Sequence, residues 1–260
     1  STLSSSSAAS DVYKRQKLLY VELDSFVYFD SSKVSNVNAL KTRIIEGLTT
    51  YSKSTDVNKF GGRFKYSKAL NIIDDIDNAI TSNITRVKIR RNLRAVLNSF
   101  AQYELCFGNQ FRINQEGKNI KSTGFTIEGE NEIVYITDIP NKDNSGNLDG
   151  SGQGVISIVR EDSLRNTVVV VKSAGTVDYI HGEIILTTVN ITSTVKENNV
   201  IEVQAFPDSN DVVGLKDLYL DFSISNSTIN MVKDTITSGE QISGVGFKVT
   251  SSYSNGELTR

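Results

Sequence analysis

The sequence predicts an α+β fold, in which an N-terminal lobe of helices and strands is followed by a β-rich lobe of mostly antiparallel strands. Two observations lead to this prediction. The N-terminal part contains a long stretch with apolar residues three and four positions apart, the period of an amphipathic helix, between alternating stretches. Beyond residue 111 only short apolar runs separated by polar, glycine-containing turns remain, and this pattern is typical of strands joined by loops.

Four segments divide the 260 residues. Residues 1–16 end in DVYKRQ, the translation of the mosaic end used in transposase-based sequencing libraries. We therefore interpret them as a disordered adaptor scar on a chain whose natural N-terminus is missing. Residues 17–110 are predicted to form the α+β lobe, and residues 111–222 the β-rich lobe. Residues 223–260 are polar and weakly alternating, so we expect an extension that buries little apolar surface by itself.

The α+β lobe begins with Lys17–Asp30, whose Leu, Val, Tyr and Phe content predicts one strand, or two short strands with a bulge. An amphipathic helix is predicted over residues 34–51, because the apolar side chains there repeat at helical spacing. We expect Asp30, Ser31 or Ser32 to cap the N-terminus of this helix, since short polar side chains satisfy its first N–H groups.

A glycine turn follows at Asn58–Gly62, where the Gly-Gly pair permits positive φ. Phe64–Ile73 predicts a short helix with one apolar face. Asn83–Leu93 alternates, which predicts a strand with one buried apolar face and one cationic face. We expect residues 96–107 to pair with this strand.

In the β-rich lobe, the clearest hairpin is Thr176–Leu186, whose two apolar arms are split by His181-Gly182 as a two-residue turn. The polar insert Asn141–Gln153 predicts an exposed, mobile loop. Leu215–Phe222 predicts one more strand or a short helical turn. The other strands expected in this lobe are Gly124–Ile127, Ile133–Ile139, Gly154–Arg160, Thr167–Val171, Thr176–Ile180, Glu183–Val189 and Val200–Phe206.

Charge and composition narrow the range of functions. A formal net charge of -2 argues against bulk binding to nucleic acid, which requires a strong basic excess. No apolar run approaches the roughly 20 residues needed to span a membrane. Cys106 is the single cysteine, so no disulfide can form within the chain, which fits a reducing compartment. We therefore expect neither nucleic acid nor a membrane as a partner.

Few residues could carry catalysis or bind a metal. His181 is the only histidine and lies in the predicted hairpin turn, which is a poor position for a nucleophile's base. Asp74, Asp75 and Asp77 could bind a hard cation, but such clusters are more often solvated helix ends. Residues 143–149 depart from a calcium loop, because a leucine stands where glycine is required. We predict no catalytic residue, no metal, no cofactor and no enzymatic activity.

One basic cluster lies on the predicted cationic strand. A nucleic-acid site is one hypothesis for it, although no stacking aromatics are interleaved with the cations. A plain solvated strand face is another hypothesis. We favour a third, a protein–protein interface. The cluster consists of Arg86, Lys88, Arg90, Arg91 and Arg94.

Several short segments, taken in order, carry a resemblance to a known family. The most specific are Leu23–Tyr28 (LDSFVY), Phe60–Phe64 (FGGRF) and Ile80–Arg90, with weaker pieces at Gly175–Ile184 and Pro207–Asp211. In this order, the chain from about Leu18 to Phe222 resembles the C-terminal portion of the baseplate wedge subunit of T-even-type contractile-tailed phages, in the baseplate J-like family. None of the segments is an enzyme motif, so the resemblance rests on their order.

The resemblance implies a structural virion protein of the phage tail baseplate, assembled in the host cytoplasm. In that family two copies join a larger partner in each wedge, and neighbouring wedges meet through these subunits. The inner ring so formed passes on the rearrangement that starts sheath contraction. The partners implied are other copies, in homodimer and ring contacts, and other baseplate wedge proteins.

Two other functions remain open at this point. A β-rich carbohydrate- or receptor-binding tail module is the alternative, and it would need exposed aromatics clustered on loops; Asn141–Gln153 contains none. A tail hydrolase would need paired carboxylates in a cleft. Glu128, Glu130 and Glu132 are close in sequence, but we interpret them as one edge of a turn.

On the structural hypothesis, the protein works through its surfaces. We expect the interface on the predicted helix Val34–Tyr51, the turn Phe60–Tyr66 and the strand Arg86–Arg94, where aromatic and arginine anchors contribute most. Replacing Arg86, Lys88 and Arg90 by Glu is expected to weaken assembly without unfolding the chain. The candidate interface residues are Phe60, Arg63, Phe64, Tyr66, Arg86, Lys88, Arg90, Arg91 and Arg94.

Overall fold

A computed structural model of the chain describes residues 17–164, 166–236, 253–254 and 257–258. The predicted adaptor scar, residues 1–16, lies outside the described residues, as does most of the chain beyond residue 236. The described part is rich in β-structure, as the sequence predicts. Neither of its α-helices is long and apolar enough to cross a membrane.

The secondary-structure elements are numbered here in chain order. The helices are α1, Val37–Ser52, and α2, Tyr66–Asp75, with a 3-10 helix at Glu197–Asn199. The strands of the described residues are β1 Leu18–Phe29, β2 Arg63–Phe64, β3 Ile80–Arg94, β4 Phe100–Cys106, β5 Lys121–Ser122, β6 Phe125–Ile127, β7 Glu130–Pro140, β8 Gln153–Glu161, β9 Thr167–Asp178, β10 Glu183–Thr194, β11 Val200–Ala205, β12 Val212–Val213, β13 Tyr219–Phe222, β14 Thr228–Lys233, β15 Tyr253–Ser254 and β16 Glu257–Leu258.

The first sheet joins strands from both ends of the chain, in the order β13-β1-β3-β11-β5, with β14 also paired to β1. β3 is antiparallel to both β1 and β11, whereas β13 and β14 run parallel to β1. A bulge interrupts the β1–β3 register between Tyr28 and Phe29, so the predicted first strand is continuous and carries its bulge at the far end. The division at residue 110 therefore does not separate the sheets, since β11, β13 and β14 return to this one.

Both helices contribute to the apolar core beside the first sheet. Four residues of the predicted apolar stripe are buried on α1, whereas Val34 and Val37 are only partly buried; the four are Leu40, Ile44, Leu48 and Tyr51. α1 begins later than predicted, because the side chain of Asn36, rather than Asp30, accepts a hydrogen bond from the Ala39 N–H at 3.1 Å. The carboxylate of Asp30 instead accepts from Ser32, in a tight turn that precedes the helix. α2 is the second predicted helix and buries Ala69 and Ile73.

β10 closes the second sheet into a barrel. The strand order is β4-β10-β6-β7-β8-β9, and β9 pairs again with β10. The sequence predicts that residues 96–107 pair with β3, but β4 pairs with β10 instead, while β3 pairs with β1 and β11. The two strands predicted between residues 167 and 180 form one strand, β9, and the hairpin to β10 is confirmed. Its connection is longer than the expected two residues: Asp178 is paired with Glu183, and Gly182 adopts φ 67°.

A single hydrophobic core extends through the helical region and the barrel. β3 explains how the two are joined, since its first part lies beside α2 and its last residues pair with β11 next to the barrel. The N-terminal helices and strands therefore do not form a separate body with their own core. The division of the chain into four segments stays a prediction about domains. The first sheet contains strands from more than one of these segments.

A buried charged network lies on the outer face of the first sheet. The Arg90 guanidinium is 6% exposed; its Nε donates to Glu22 Oε1 at 2.6 Å and its Nη1 to Glu202 Oε1 at 3.2 Å. The guanidinium also lies 4.1 Å from the Tyr20 ring centroid. Removing one partner of a buried ion pair leaves an uncompensated charge, which costs more than an exposed pair contributes. We therefore expect Arg90 to stabilise the folded chain through its ion pairs with Glu22 and Glu202.

A buried carboxyl fastens the barrel to the preceding loop. Asp138 on β7 is fully buried; its Oδ1 accepts from the Ile120 N–H at 2.6 Å, and its Oδ2 accepts from the Tyr179 hydroxyl at 2.6 Å. Burial raises the pKa of Asp138, although these two hydrogen bonds act in the opposite direction. Burial and the neighbouring carboxyl likewise raise the pKa of Tyr179.

Arg90→Met is expected to lower the free energy of unfolding by about 3–5 kcal/mol, because Glu22 is left charged and buried. The matched change Arg86→Met, at an exposed position of the same strand, is expected to alter it by less than about 0.5 kcal/mol. Urea unfolding of both variants measures the difference. Equal stability of the two variants would show that the Arg90 network is not needed for folding.

Asp138 is expected to make stability fall as pH rises. Its pKa is raised in the folded state, so its contribution is fully present below the unfolded value near pH 3.8 and is lost as pH rises through the folded value. Asp138→Asn removes this titration while keeping an acceptor for the Ile120 N–H. Urea unfolding from pH 4 upward should show the unchanged chain losing stability relative to the variant; parallel profiles would contradict the assignment.

Candidate protein interface

The glycine turn is built by two glycines with different constraints. Gly61 adopts φ 62°, which a residue with a side chain rarely does, and its N–H donates to the Leu215 and Leu218 carbonyls. Gly62 has no room for a side chain, since an added Cβ would lie 2.0 Å from the Val57 carbonyl oxygen. The turn thereby delivers Arg63 and Phe64 into β2, which pairs with β12.

A cluster of aromatic rings supports the turn from inside. Phe64 is fully buried, with its ring centroid 5.9 Å from that of Tyr51 and 5.0 Å from that of Phe222. The Tyr51 hydroxyl accepts from the Lys65 N–H at 2.8 Å and so ties α1 to the start of α2. Phe64 therefore belongs to the core and cannot anchor a partner, which corrects its place among the candidate interface residues.

An exposed apolar patch covers the outside of the turn. Phe60 is 36% exposed, and its ring meets that of Tyr219 edge-on at 5.3 Å between centroids. Val213 and Leu215 are 43% and 40% exposed and come from the segment that pairs with β2 and caps Gly61. Apolar side chains beside an aromatic ring and an arginine are the composition that interface centres favour.

Beside this patch is a cleft of about 300 Å³ with cationic walls. Its lining includes four cations and one carboxylate: Lys59, Arg63, Lys65, Lys68 and Asp56. The Lys68 ammonium lies 4.8 Å from the centroid of the Tyr51 ring, which also lines the cleft. Within the described residues, none of the four cations is in an ion pair. We call the apolar patch and this cleft together the glycine-turn surface.

The predicted basic cluster does not form one surface. Arg86 and Lys88 stand opposite Asp24 and Glu22 in the β1–β3 register, so acidic residues of β1 offset their charge. Arg91 points away from Arg90, and its guanidinium donates to the Cys106 carbonyl.

Burial lowers the pKa of Arg91. Arg94 is exposed at the end of β3. Because Arg90 is buried in an ion pair with Glu22, its replacement by Glu is now expected to disturb folding as well as assembly.

Tyr66 has an internal role. It is half-buried at the start of α2, and its hydroxyl donates to the Thr85 carbonyl at 2.8 Å. Its N–H donates to Asp211 Oδ1 at 2.8 Å, which ties the helix to the segment before β12. Of the predicted residues, Phe60 and Arg63 thus lie together at the surface, while Tyr66 holds the helix beneath them.

Sequence reasoning missed most of the cleft. Lys59, Lys65 and Lys68 are spread over ten residues that span a turn, a strand and a helix start, so no linear cluster marks them. Val213 and Leu215 come from more than 140 residues further along, and only the β2–β12 pairing brings them to the turn. The i, i+3 spacing of Lys65 and Lys68 was the one local indication that two of these cations lie close together.

The acidic and histidine residues weighed for catalysis have local partners. Asp77 pairs with Arg43 at 2.7 Å, and Asp74 accepts from the Asn83 side chain at 2.7 Å. The hydrogen bond with Asp178 raises the pKa of exposed His181. Among the described residues, no group of three or more His, Cys, Asp or Glu side chains is placed to hold a metal ion.

Comparison with known families gives one match. Residues 17–92 match the family described as "Baseplate structural protein gp6, C-terminal domain III". This stretch runs from β1 to near the end of β3 and includes both helices and the glycine turn, but it covers well under half of the chain. No curated protein matches the chain significantly. The match supports a structural protein of the phage tail baseplate, and the family is a structural one, which suggests that the chain is not an enzyme.

Gly62→Ala is expected to destabilise the chain by more than about 2 kcal/mol, because the new Cβ forces the turn to open. Gly61→Ala, with no atom closer than 4.0 Å to its Cβ, should cost only about 1–2 kcal/mol for its left-handed backbone. Gly146→Ala, also left-handed and in open space, is the matched control for Gly61. Thermal or urea unfolding ranks the three, and a mild effect at Gly62 would contradict the packing argument.

Proposed function

We propose that this chain is a wedge component of a contractile phage tail baseplate, that it self-associates into the inner baseplate ring, and that it helps couple baseplate rearrangement to sheath contraction. On this proposal it is the C-terminal portion of such a subunit, in the baseplate J-like family. Its partners are further copies of itself and other baseplate wedge proteins, and it is assembled in the host cytoplasm.

The glycine-turn surface is the observation that carries this proposal, because its cleft and Phe60 lie within the stretch that matches a baseplate family. An exposed aromatic, two aliphatic side chains and several unpaired cations are gathered there by a turn with little freedom. A surface held in one conformation loses little entropy on association. That property suits a protein whose work is to hold neighbours in a fixed arrangement.

The carbohydrate- or receptor-binding alternative receives less support. The exposed loop Asn141–Gln153 contains no aromatic side chain, and the carboxylates of Asp143 and Asp149 accept from N–H groups of the same loop. The exposed Phe60 lies instead beside the cationic cleft. The Phe60 ring meets that of Tyr219 edge-on, an arrangement that favours an assembly contact over the open aromatic face on which a neutral sugar stacks.

The solution mass of the 260-residue chain, measured by light scattering over a concentration series, tests self-association. A mass that rises with concentration is expected. Phe60→Ala and Arg63→Ala should each weaken association roughly tenfold, the effect of losing one interface anchor. Ile84→Ala, an exposed apolar residue on the outer face of the first sheet, is the matched control and should leave association unchanged. A strict monomer at every concentration would contradict self-association by this chain.

A further inference from the structure

The cationic cleft beside the glycine turn gathers charged side chains from several elements around one hollow. The end of α1 provides Tyr51, and the segment after it provides Asp56 and Lys59. Arg63 comes from β2, and the other two cations come from the first turn of α2 and the residue before it. All four cationic residues are exposed, so their charged groups are open to a ligand. The volume of about 300 Å³ is at the lower end of the range of small-molecule sites.

Two carboxylates near the cleft offset only part of its charge. Asp56 is exposed and belongs to the lining. Asp211 lies at the N-terminus of α2, where its Oδ1 accepts from the Tyr66 N–H at 2.8 Å. Burial is the main cause of the raised pKa of Tyr51, and both carboxylates act in the same direction. Four cations against these two carboxylates leave the cleft with an excess of positive charge.

Hydrogen bonds within the turn hold the backbone from which the cations project. The Lys59 carbonyl accepts from the Gly62 N–H at 3.2 Å, and the Arg63 N–H donates to the Asp56 carbonyl at 2.8 Å. The Lys65 N–H is bonded to the tyrosine hydroxyl at the end of α1. The backbone positions of these cations are therefore set before a ligand binds, which reduces the entropy lost on binding.

A second cleft with cations in its lining, between β5, β7 and β8, has less uncompensated charge. Its charged residues are Lys118, Lys121, Arg160 and Glu161. Arg160 is already paired with Glu132 at 2.9 Å. Two lysines are thus left against one carboxylate, compared with four cations in the cleft at the glycine turn. The second cleft is therefore the natural comparison for a test of anion binding.

The lining of the cationic cleft suits a compact anion of high charge. The Arg63 guanidinium can donate two parallel hydrogen bonds to one phosphoryl or carboxylate group, while the lysine ammonium groups act as point charges. The Lys68 ammonium lies over the Tyr51 ring, 4.8 Å from its centroid, and occupies that face of the ring. A planar base would have to displace this contact in order to stack, whereas several phosphoryl groups would each meet a cation.

We propose that the cationic cleft is a binding site for a small anion that carries two or more phosphoryl groups. Such an anion supplies several negative charges within a small volume and so offsets the excess charge of the cleft. The four cations line a single cleft of about 300 Å³ and do not follow a long groove, which favours a small anion over an extended acidic peptide. The site goes beyond the structural role proposed above and does not depend on self-association.

Isothermal titration calorimetry of the 260-residue chain with inorganic tripolyphosphate tests this site. We expect saturable binding of one anion per chain, which weakens as salt is raised. Inorganic phosphate should bind at least roughly tenfold more weakly, because it offers a single phosphoryl group. Arg63→Gln and Lys68→Gln should each weaken tripolyphosphate binding roughly tenfold, since each removes one charge-assisted contact. Lys118→Gln/Lys121→Gln, in the second cleft, is the matched control and should leave the binding unchanged.

Unfolding curves establish that each variant is folded, and all the substituted residues are exposed. Arg63 lies on β2 and Lys68 on α2, so if one variant fails to fold, the other still tests the site. The site is wrong if tripolyphosphate does not bind saturably, if the folded cleft variants bind it as tightly as the unchanged chain, or if the control loses as much affinity as they do. Tighter binding of an oligoglutamate peptide, sensitive to the same substitutions, would assign the cleft to an acidic protein segment and overturn the phosphoryl ligand.

Discussion

The hydrogen bonding of β3 on both edges is the constraint on which the rest of the structure depends. β1 occupies one edge over most of the strand, and β11 occupies the other edge at its C-terminal end. β4, the next strand along the chain, does not extend this sheet but pairs with β10 and starts the barrel. β3 also connects the helical region to the part of the sheet next to the barrel, because it contacts α2 and pairs with β11.

The strands paired with β3 also determine the surroundings of its basic residues. Alternation places Arg86, Lys88 and Arg90 on one face of β3. The side chains next to them belong to β1 and β11, which are far apart in the sequence. Glu22 and Glu202 close over Arg90 and turn it into a buried network residue. A positive stripe in the sequence thereby becomes a face of mixed charge in the sheet, and a separate set of four cations lines the cleft at the glycine turn.

The glycine turn shows how a core and a surface can be fixed by the same few residues. Gly62 lets the chain pass against the Val57 carbonyl, and Phe64 then fills the space between Tyr51 and Phe222. With the inner side packed in this way, the side chains of Phe60 and Arg63 face outward. A surface whose backbone is already ordered in the single chain loses less conformational entropy when it associates with a partner.

The local elements follow from short-range patterns in the sequence. Apolar spacing located both helices and nearly all the longer strands, and the Gly-Gly pair located the turn, because periodicity and backbone freedom act over a few residues. It also supplied the resemblance to a baseplate protein, which the match over residues 17–92 supports.

Three features became visible in the folded chain alone: the pairing of the strands, the burial of Phe64 and Arg90, and the cleft of three lysines and Arg63 beside Val213 and Leu215. These features depend on contacts between residues more than 60 positions apart, such as Glu22 with Arg90 and Arg63 with Val213. A local pattern carries no information about such contacts, because any exposed edge or charge can be filled by a distant segment of the chain.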